Sequence, residues 1–487
     1  MKLISNLLLW GGILLLPLNS YAQFTKGLSY RAETGVSFSG GEHTPFWLTA
    51  NKQGLSSIEK NNGYLRAGVF RELEKDKPFS YAFGVDLAVA YNFTSTFVVQ
   101  QLYADLKYRC LGLSIGSKER HSEFNNPFLS SGGLTFSGNA RPIPQVRIGI
   151  PEYTLVPGTK GWLAFKGHIA YGLFTDDGWQ KDFIKPGGKH TEHVLYHSKD
   201  LYVKVGNREK FPLIFEGGLE MAAQFGGNAF IGDKKTDMPN GIKDFFKVFI
   251  PSGGSSDTPL GEQTNIYGNH LGSWNFSLTW YAPKDWTIRP YYEHYFEDHS
   301  QMFGEYGWKD CLAGVEITFP KNRVIGSFVY EYISTKDQTG AVYWDHTSEI
   351  PEQVSGTDNY YNHGIYTGWQ HWGMGIGNPL VMSPIYNTDG DISFKSSRLQ
   401  GHHFGIMGNP VNDLQYRILL SFTRNWGTYG LPFYEIKKNG NALIELTYTP
   451  HQLKGWDFTG SLGVDRGGML GKSAGGMLTI RKTGWIR

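Results

Sequence analysis

The stretch Leu102-Tyr103-Ala104-Asp105-Leu106-Lys107-Tyr108-Arg109-Cys110-Leu111-Gly112-Leu113-Ser114-Ile115 changes phase once, and that change decides the fold. Leu102, Ala104, Leu106, Tyr108 and Cys110 share one face of a two-residue repeat, and Tyr103, Asp105, Lys107 and Arg109 share the other. Strict alternation of this kind is the mark of a β-strand. After Cys110 the apolar phase moves to Leu111, Leu113 and Ile115. A phase flip beside a glycine predicts a tight hairpin.

The pattern spreads in both directions. Upstream, Val85-Asp86-Leu87-Ala88-Val89-Ala90-Tyr91 alternates. Downstream, Trp274, Phe276, Leu278 and Trp280 alternate with Asn275, Ser277 and Thr279. Phe328, Tyr330 and Tyr332 flank Ser327 and Glu331. Tyr416, Ile418, Leu420 and Phe422 alternate with Arg417, Ser421 and Thr423, and Ile444, Leu446 and Tyr448 with Glu445 and Thr447. A last strand is expected over Met477–Trp485. Roughly 18 strand candidates emerge from this template. Their polar faces carry Asp105, Lys107, Arg109, Glu331, Arg417, Glu445 and Arg481, which suits a wet lumen rather than a packed soluble core.

Composition agrees. Charged residues are 18%, below the roughly 25% usual in soluble domains. There are 62 Gly, 28 Tyr and 14 Trp in 487 residues, as turn-rich strands with aromatic girdles require. The net charge of +2 points to no nucleic acid or other polyanion. Beyond the N-terminus no segment has the length and apolarity of a membrane helix. If the chain crosses a membrane, it must do so as a closed all-β antiparallel barrel, because lipid offers no partner to free backbone groups.

The N-terminus sets the compartment. Met1-Lys2 is followed by an apolar run from Leu7 to Leu16, then by Ser20-Tyr21-Ala22 with small residues at −3 and −1 of a cut before Gln23. This is the layout of a secretory signal peptide. Residues 1–22 are expected to be removed, leaving 23–487 as one barrel unit. No cysteine follows the cut, which argues against a lipid anchor. Cys110 and Cys311 form no disulfide framework or zinc set, and each sits in a strand-like context.

Four stretches break the alternation: Glu119–Pro157, Asp176–Lys199, Gly232–Gly272 and Thr335–His403. The third holds a helix-like run, Ile242–Ile250. They are expected to be extracellular loops or inward plug segments, and loops of such length are usually functional.

Catalytic motifs fail on context. Gly112-x-Ser114-x-Gly116 lies inside a strand, not at the strained strand-to-helix turn of a nucleophile elbow. Gly373-x-Gly375-x-Gly377 has no βαβ surroundings. His193 and His197 stand four apart, which would let them meet on a helix, but no metal set is complete. No cofactor or metal is expected. Glu293 and Glu297 are acidic neighbours, yet spacing alone does not make a glycosidase pair.

Carbohydrate binding has support in the loops. Sugar rings stack their C–H faces on aromatics, and their hydroxyls need amide, imidazole and guanidinium partners. Asn359, Tyr360, Tyr361, Asn362, His363, Trp369, His371 and Trp372 offer that mixture, and Arg120, His121 and Arg141 add a polar rim. The plainer reading is that these aromatics pack loops onto a barrel or form its interfacial girdle.

Several blocks resemble the capsule assembly Wzi family of outer-membrane proteins. They are Gln101–Tyr108, Gly116–Glu119, Asn125–Gly133, Gly138–Val146, Asn359–His363, Gly375–Leu380, and His402–Gly405 leading to Tyr416-Arg417. The resemblance implies an 18-stranded outer-membrane barrel with a lectin-like role in holding capsular or other surface polysaccharide. It also implies a plug; the long amphipathic helices of enterobacterial members have no equivalent here. Expected partners are surface polysaccharide, outer-membrane lipids and the barrel assembly machinery. The alternative is a porin-like channel for small solutes or oligosaccharides.

Overall fold

The structure is a computed structural model. It describes residues 27–251, 267–297, 299–304, 307–320, 322, 324–344, 347–350 and 354–486. The signal segment 1–22 with its cut before Gln23, and residues 252–266 of the third long stretch, lie outside the described residues.

Eighteen strands form one sheet, each antiparallel to its chain neighbours. The first, Leu28–Gly41, also pairs with the last, Gly471–Trp485, with Ser29 opposite Trp485. That pairing closes the barrel and leaves no free edge. The hairpin read from the phase flip is present: Phe97–Tyr108 and Leu111–Ser117 join through Arg109-Cys110, and Arg109 takes the φ of 53° that so tight a turn needs.

Burial is inverted relative to a soluble protein. Outward Leu65, Leu102, Phe422 and Leu462 are exposed, whereas inward Asp86, Glu331, His403 and Ser421 are fully buried. An apolar outer band with a polar interior is the signature of a membrane barrel. Aromatics mark its edges, with Phe38, Tyr91 and Phe97 towards one end and Phe79, Tyr108, Trp286 and Trp485 towards the other.

The two ends differ. Both described termini lie at the end where connections are short, such as 109–110, 283–285 and 412–413. The opposite end carries connections 42–60, 118–144, 174–194, 226–268 and 335–397. These correct the limits of all four expected loops, the third and fourth because strands open at Asn269 and Arg398. Gln145–Leu155 is a strand inside the stretch read as a loop; Pro151 and a register shift between Ile150 and Thr154 hid its alternation. Leu195–Val205 begins inside the second stretch, so His193 and His197 share no helix. The final strand starts at Gly471, earlier than Met477. The helix-like run is a helix over Ile242–Phe249. Cys110 sits exposed in a turn rather than in a strand, and Cys311 opens the strand Cys311–Thr318, buried at the other end; both thiols are free.

Candidate functional site

Three of the long connections fold into the lumen and meet one another there. Irregular backbone inside a barrel must find partners for its N–H and C=O groups. Carboxylates on the inward faces of the strands supply them.

The connection 118–144 turns inward at Glu119, which accepts from Arg66 at 2.6 Å and Gln100 at 2.9 Å. Further on, Ser130 Oγ, Ser131 N and Ser131 Oγ all donate to the Glu331 carboxylate. Leu134 N donates to Glu293 at 2.8 Å, and His403 bonds Leu129 O at 2.8 Å. The connection 42–60 carries a one-turn helix, Phe46–Thr49, that wedges against the adjoining stretch of wall. There Phe46 N donates to Asp465 at 2.7 Å and Trp47 Nε1 to Ser421 at 3.2 Å.

The connection 335–397 lies across both. Trp369 Nε1 donates to Thr135 O at 2.8 Å, and the Tyr361 hydroxyl donates to Leu134 O. Asn378 Nδ2 donates to Ser131 Oγ, and Asn139 Nδ2 to Gly375 O at 2.9 Å. Gly377 could not carry a side chain, since its Cβ would stand 2.2 Å from Leu134 O. The Gly373–Gly377 run is thus close backbone packing.

The lumen narrows accordingly. At the short-turn end a chamber of about 650 Å³ is lined by Arg71, Glu72, Tyr103, Asp105, Lys107, Arg109, Lys118 and Tyr153, among others. Around the plug the space falls to about 20 Å³ beside Gln53, Arg120, Arg141 and Ile376, and to about 20 Å³ beside Asn51, His121 and Asn125. Such cavities hold a water molecule at most.

The candidate sugar residues separate into three groups. Tyr360 and Tyr361 are buried: the Tyr360 hydroxyl donates to Asp310 at 2.9 Å, and Tyr361 N donates to Glu297 at 2.6 Å. Asn359 is exposed, and Asn362 braces the loop through Asn359 Oδ1 and Phe394 O. His363 Nδ1 accepts from Ile365 N, and its backbone O accepts from Lys189. Burial raises the Asp310 carboxyl to about 6 and lowers the His363 imidazole to about 3. In this group the tyrosine rings are packing elements and offer no open face.

The second group sits at the long-loop mouth. Trp372 is half-buried, with the Arg141 guanidinium 4.1 Å over its ring, and its Nε1 donates to Thr175 Oγ1 at 3.3 Å. Arg141 donates to Thr94 at 3.1 Å, and burial lowers it to about 10 despite Asp176 nearby. His371 is fully buried behind them. Thr175 N donates to its Nε2 at 3.2 Å, so Nδ1 carries the proton and donates to Arg141 O at 2.8 Å. Burial lowers its pKa, in keeping with that neutral tautomer. Trp369 is also fully buried and belongs to the plug.

The third group is Arg120 and His121 beside Gln53, whose Nε2 donates to Arg120 O at 2.7 Å. Arg120 reaches Ser114 at 2.9 Å, and burial lowers it to about 10. This ties the serine of the G-x-S-x-G match, on the strand Leu111–Ser117, to the inward connection 118–144. Of the carboxylate posts, Glu293 is visible in the sequence as half of an acidic pair with Glu297, whereas Glu331, Asp465 and Asp310 belong to no motif. Their only sequence signal is an acid on the inward face of an alternating strand, or next to one.

The fold is that of an outer-membrane β-barrel. The chain is similar to Wzi, a carbohydrate-binding β-barrel of the outer membrane involved in group 1 capsule assembly in Escherichia coli. That similarity has a TM-score of 0.58 and 13% identity, covering 95% of this chain and 86% of Wzi. Weaker similarities join it to OccK5 (OpdH) of Pseudomonas aeruginosa, with TM-score 0.46, 8% identity, and 94% and 98% of the two chains. OpdQ of the same organism gives 0.47, 9%, 94% and 99%. No protein-family model matches the chain, and no curated protein matches it.

Proposed function

We propose that the chain is a non-enzymatic, loop-plugged outer-membrane barrel that binds and organises capsular or other surface polysaccharide at the cell surface. The observation that carries this reading is the filled lumen: Trp369, Tyr361 and Leu134 are buried where a channel would need an open path. Outer-membrane barrels keep short turns in the periplasm and long loops outside. The plug and the Trp372–Arg141 pair therefore lie at the cell surface. The carbohydrate binding of the structurally similar Wzi barrel supports the same class of ligand.

The mechanism is multivalent. The exposed part of the Trp372 indole takes a sugar C–H face, while Arg141 holds the ring in place and Thr175 and Asn359 offer polar contacts. Each contact is weak, and a repeating polymer is held by effective concentration. The chain reaches the outer membrane after signal cleavage, through the barrel assembly machinery.

Retention of purified surface polysaccharide on the immobilised barrel tests the reading. Wild-type protein retains polymer and Trp372→Ala retains less. Equal retention by both, at the level of an unrelated barrel, removes the support for a lectin. The channel reading predicts instead a steady current through the wild-type barrel.

A further inference from the structure

One stretch of the barrel's outer wall is covered over the strand Leu195–Val205. In the strand Leu195–Val205, Ser198 and Asp200 reach His168, and Tyr202 stacks on the plug residue Phe124. These side chains face the lumen, so His197, Lys199 and Leu201 face outward. Tyr171 is paired with His197, and Phe225 with Leu195, which puts both on that outward face. Leu201 is open there, yet His197 and Phe225 are buried.

The cover is the helix Ile242–Phe249. Phe245 packs edge-on against Phe225 at 5.1 Å and lies 5.0 Å from Tyr171, whose hydroxyl donates to Phe245 O at 2.9 Å. Lys199 donates to Phe249 O, at the end of the helix where a cation is favoured. Asp244 caps the start by accepting from Gly241 N at 2.8 Å. The helix hence lies along the barrel's outside, below the mouth, and shields two polar wall residues.

Its other edge is apolar and bare. Ile242, Phe246 and Ile250 are spaced four apart and are 79%, 68% and 68% exposed. The edge is continuous with the lipid-facing band that Leu201 and Ile169 begin. Beyond it, Trp274 on the strand Asn269–Ala282 and Trp308, which stacks on that wall from the connection 297–310, extend the apolar surface.

We propose that Ile242–Phe249 is an interfacial helix seated in the outer leaflet, with Ile242, Phe246 and Ile250 among the lipid acyl chains. The exposed Lys243 lies at headgroup level, as a long basic side chain does on such helices. The occupant is lipid because the edge continues an apolar wall that lipid already covers. This placement is independent of what the mouth binds.

The test places an environment-sensitive fluorophore at Phe246→Cys or, as a control, at Lys243→Cys, in a Cys110→Ser background. The full chain is reconstituted in phosphatidylcholine vesicles, and heat-modifiable gel migration selects folded barrels. The expected result is roughly twofold quenching of the 246 probe by lipid spin-labelled high on its acyl chain, with little quenching by aqueous iodide, and the reverse at 243. Iodide access at 246 equal to that at 243 overturns the proposal. Protection from both quenchers also overturns it, since protein would then cover the edge.

Discussion

Ser131 of the plug donates its backbone N–H to the carboxylate of Glu331 at 2.7 Å, joining a loop to a wall residue 200 positions away. The same carboxylate accepts from Ser130, from the Ser131 hydroxyl and from Tyr291. Replacing it with Glu331→Gln leaves the strand pairing untouched but puts an amide donor where donors already converge. A buried group left unsatisfied costs about 1–3 kcal/mol. The barrel is expected to keep its heat-modifiable migration while protease cuts the 118–144 segment faster than in wild type. Unchanged cleavage would show that the post does not hold the plug.

The wild-type barrel is expected to be electrically silent. The buried packing of Trp369, Tyr361 and Leu134 inside the barrel, with cavities of only about 20 Å³ beside the plug, is the basis of that expectation. Stable stepwise currents in a planar bilayer would contradict the closed lumen and favour a channel.

The plug is expected to respond to pH through His371. Thr175 N–H donates to its Nε2, so a proton there would set two donors against each other. Burial lowers the folded pKa below the usual 6.5. The stability that this group contributes is present above about 6.5 and is lost as the pH falls towards the lowered value. Asp310 runs the other way: its folded pKa is raised to about 6 from 3.8, so its contribution is full below 3.8 and lost as pH rises through 6. Hydrogen exchange, corrected for intrinsic rate, is expected to speed up around 141 and 369–376 on going from pH 7.5 to 5. No change there, or none removed by His371→Gln, would refute the assignment.

Trp372 and Trp369 are expected to behave differently. Trp372→Ala removes a half-buried ring and should weaken polysaccharide binding by about 1 kcal/mol per site, roughly fivefold, with little effect on stability. Trp369→Ala empties a fully buried position and should destabilise the plug by about 3–5 kcal/mol. Parallel binding and thermal unfolding measurements separate the two; matching profiles would place both rings in the packing.

The two cysteines give a simple check on the fold. Cys110 is exposed in a short turn and Cys311 is buried at the opposite end. Maleimide should label one thiol per folded chain, and oxidation should not change gel mobility. A disulfide between them would contradict the strand register.

Much of the fold was legible because a wall between lipid and water imposes a period of two that the sequence must keep. The flip at Cys110-Leu111 placed a hairpin, though its turn is Arg109-Cys110, two residues that the alternation assigns to the strand. Gln145–Leu155 was missed because Pro151 and its bulge break the period, and the loop limits shifted with it. The candidate site was legible only in part. Residue type marked Trp369, Tyr360 and Tyr361 as sugar platforms, yet backbone groups at Thr135 and Leu134 recruit Trp369 and Tyr361 into the plug, and Asp310 recruits Tyr360. Those contacts join segments more than two hundred residues apart in two of the three cases, which no local pattern records. Glu331 was visible as a polar strand residue, but its role depends on which loop folds over it.

Polysaccharide holding is tested in a deletion strain of the producing bacterium, with surface polysaccharide quantified separately on cells and in the medium. Polymer is expected to leave the cells and appear in the medium at unchanged total; the wild-type gene restores cell-bound polymer and Trp372→Ala restores less. An unmoved partition between cells and medium would contradict a polysaccharide-holding barrel.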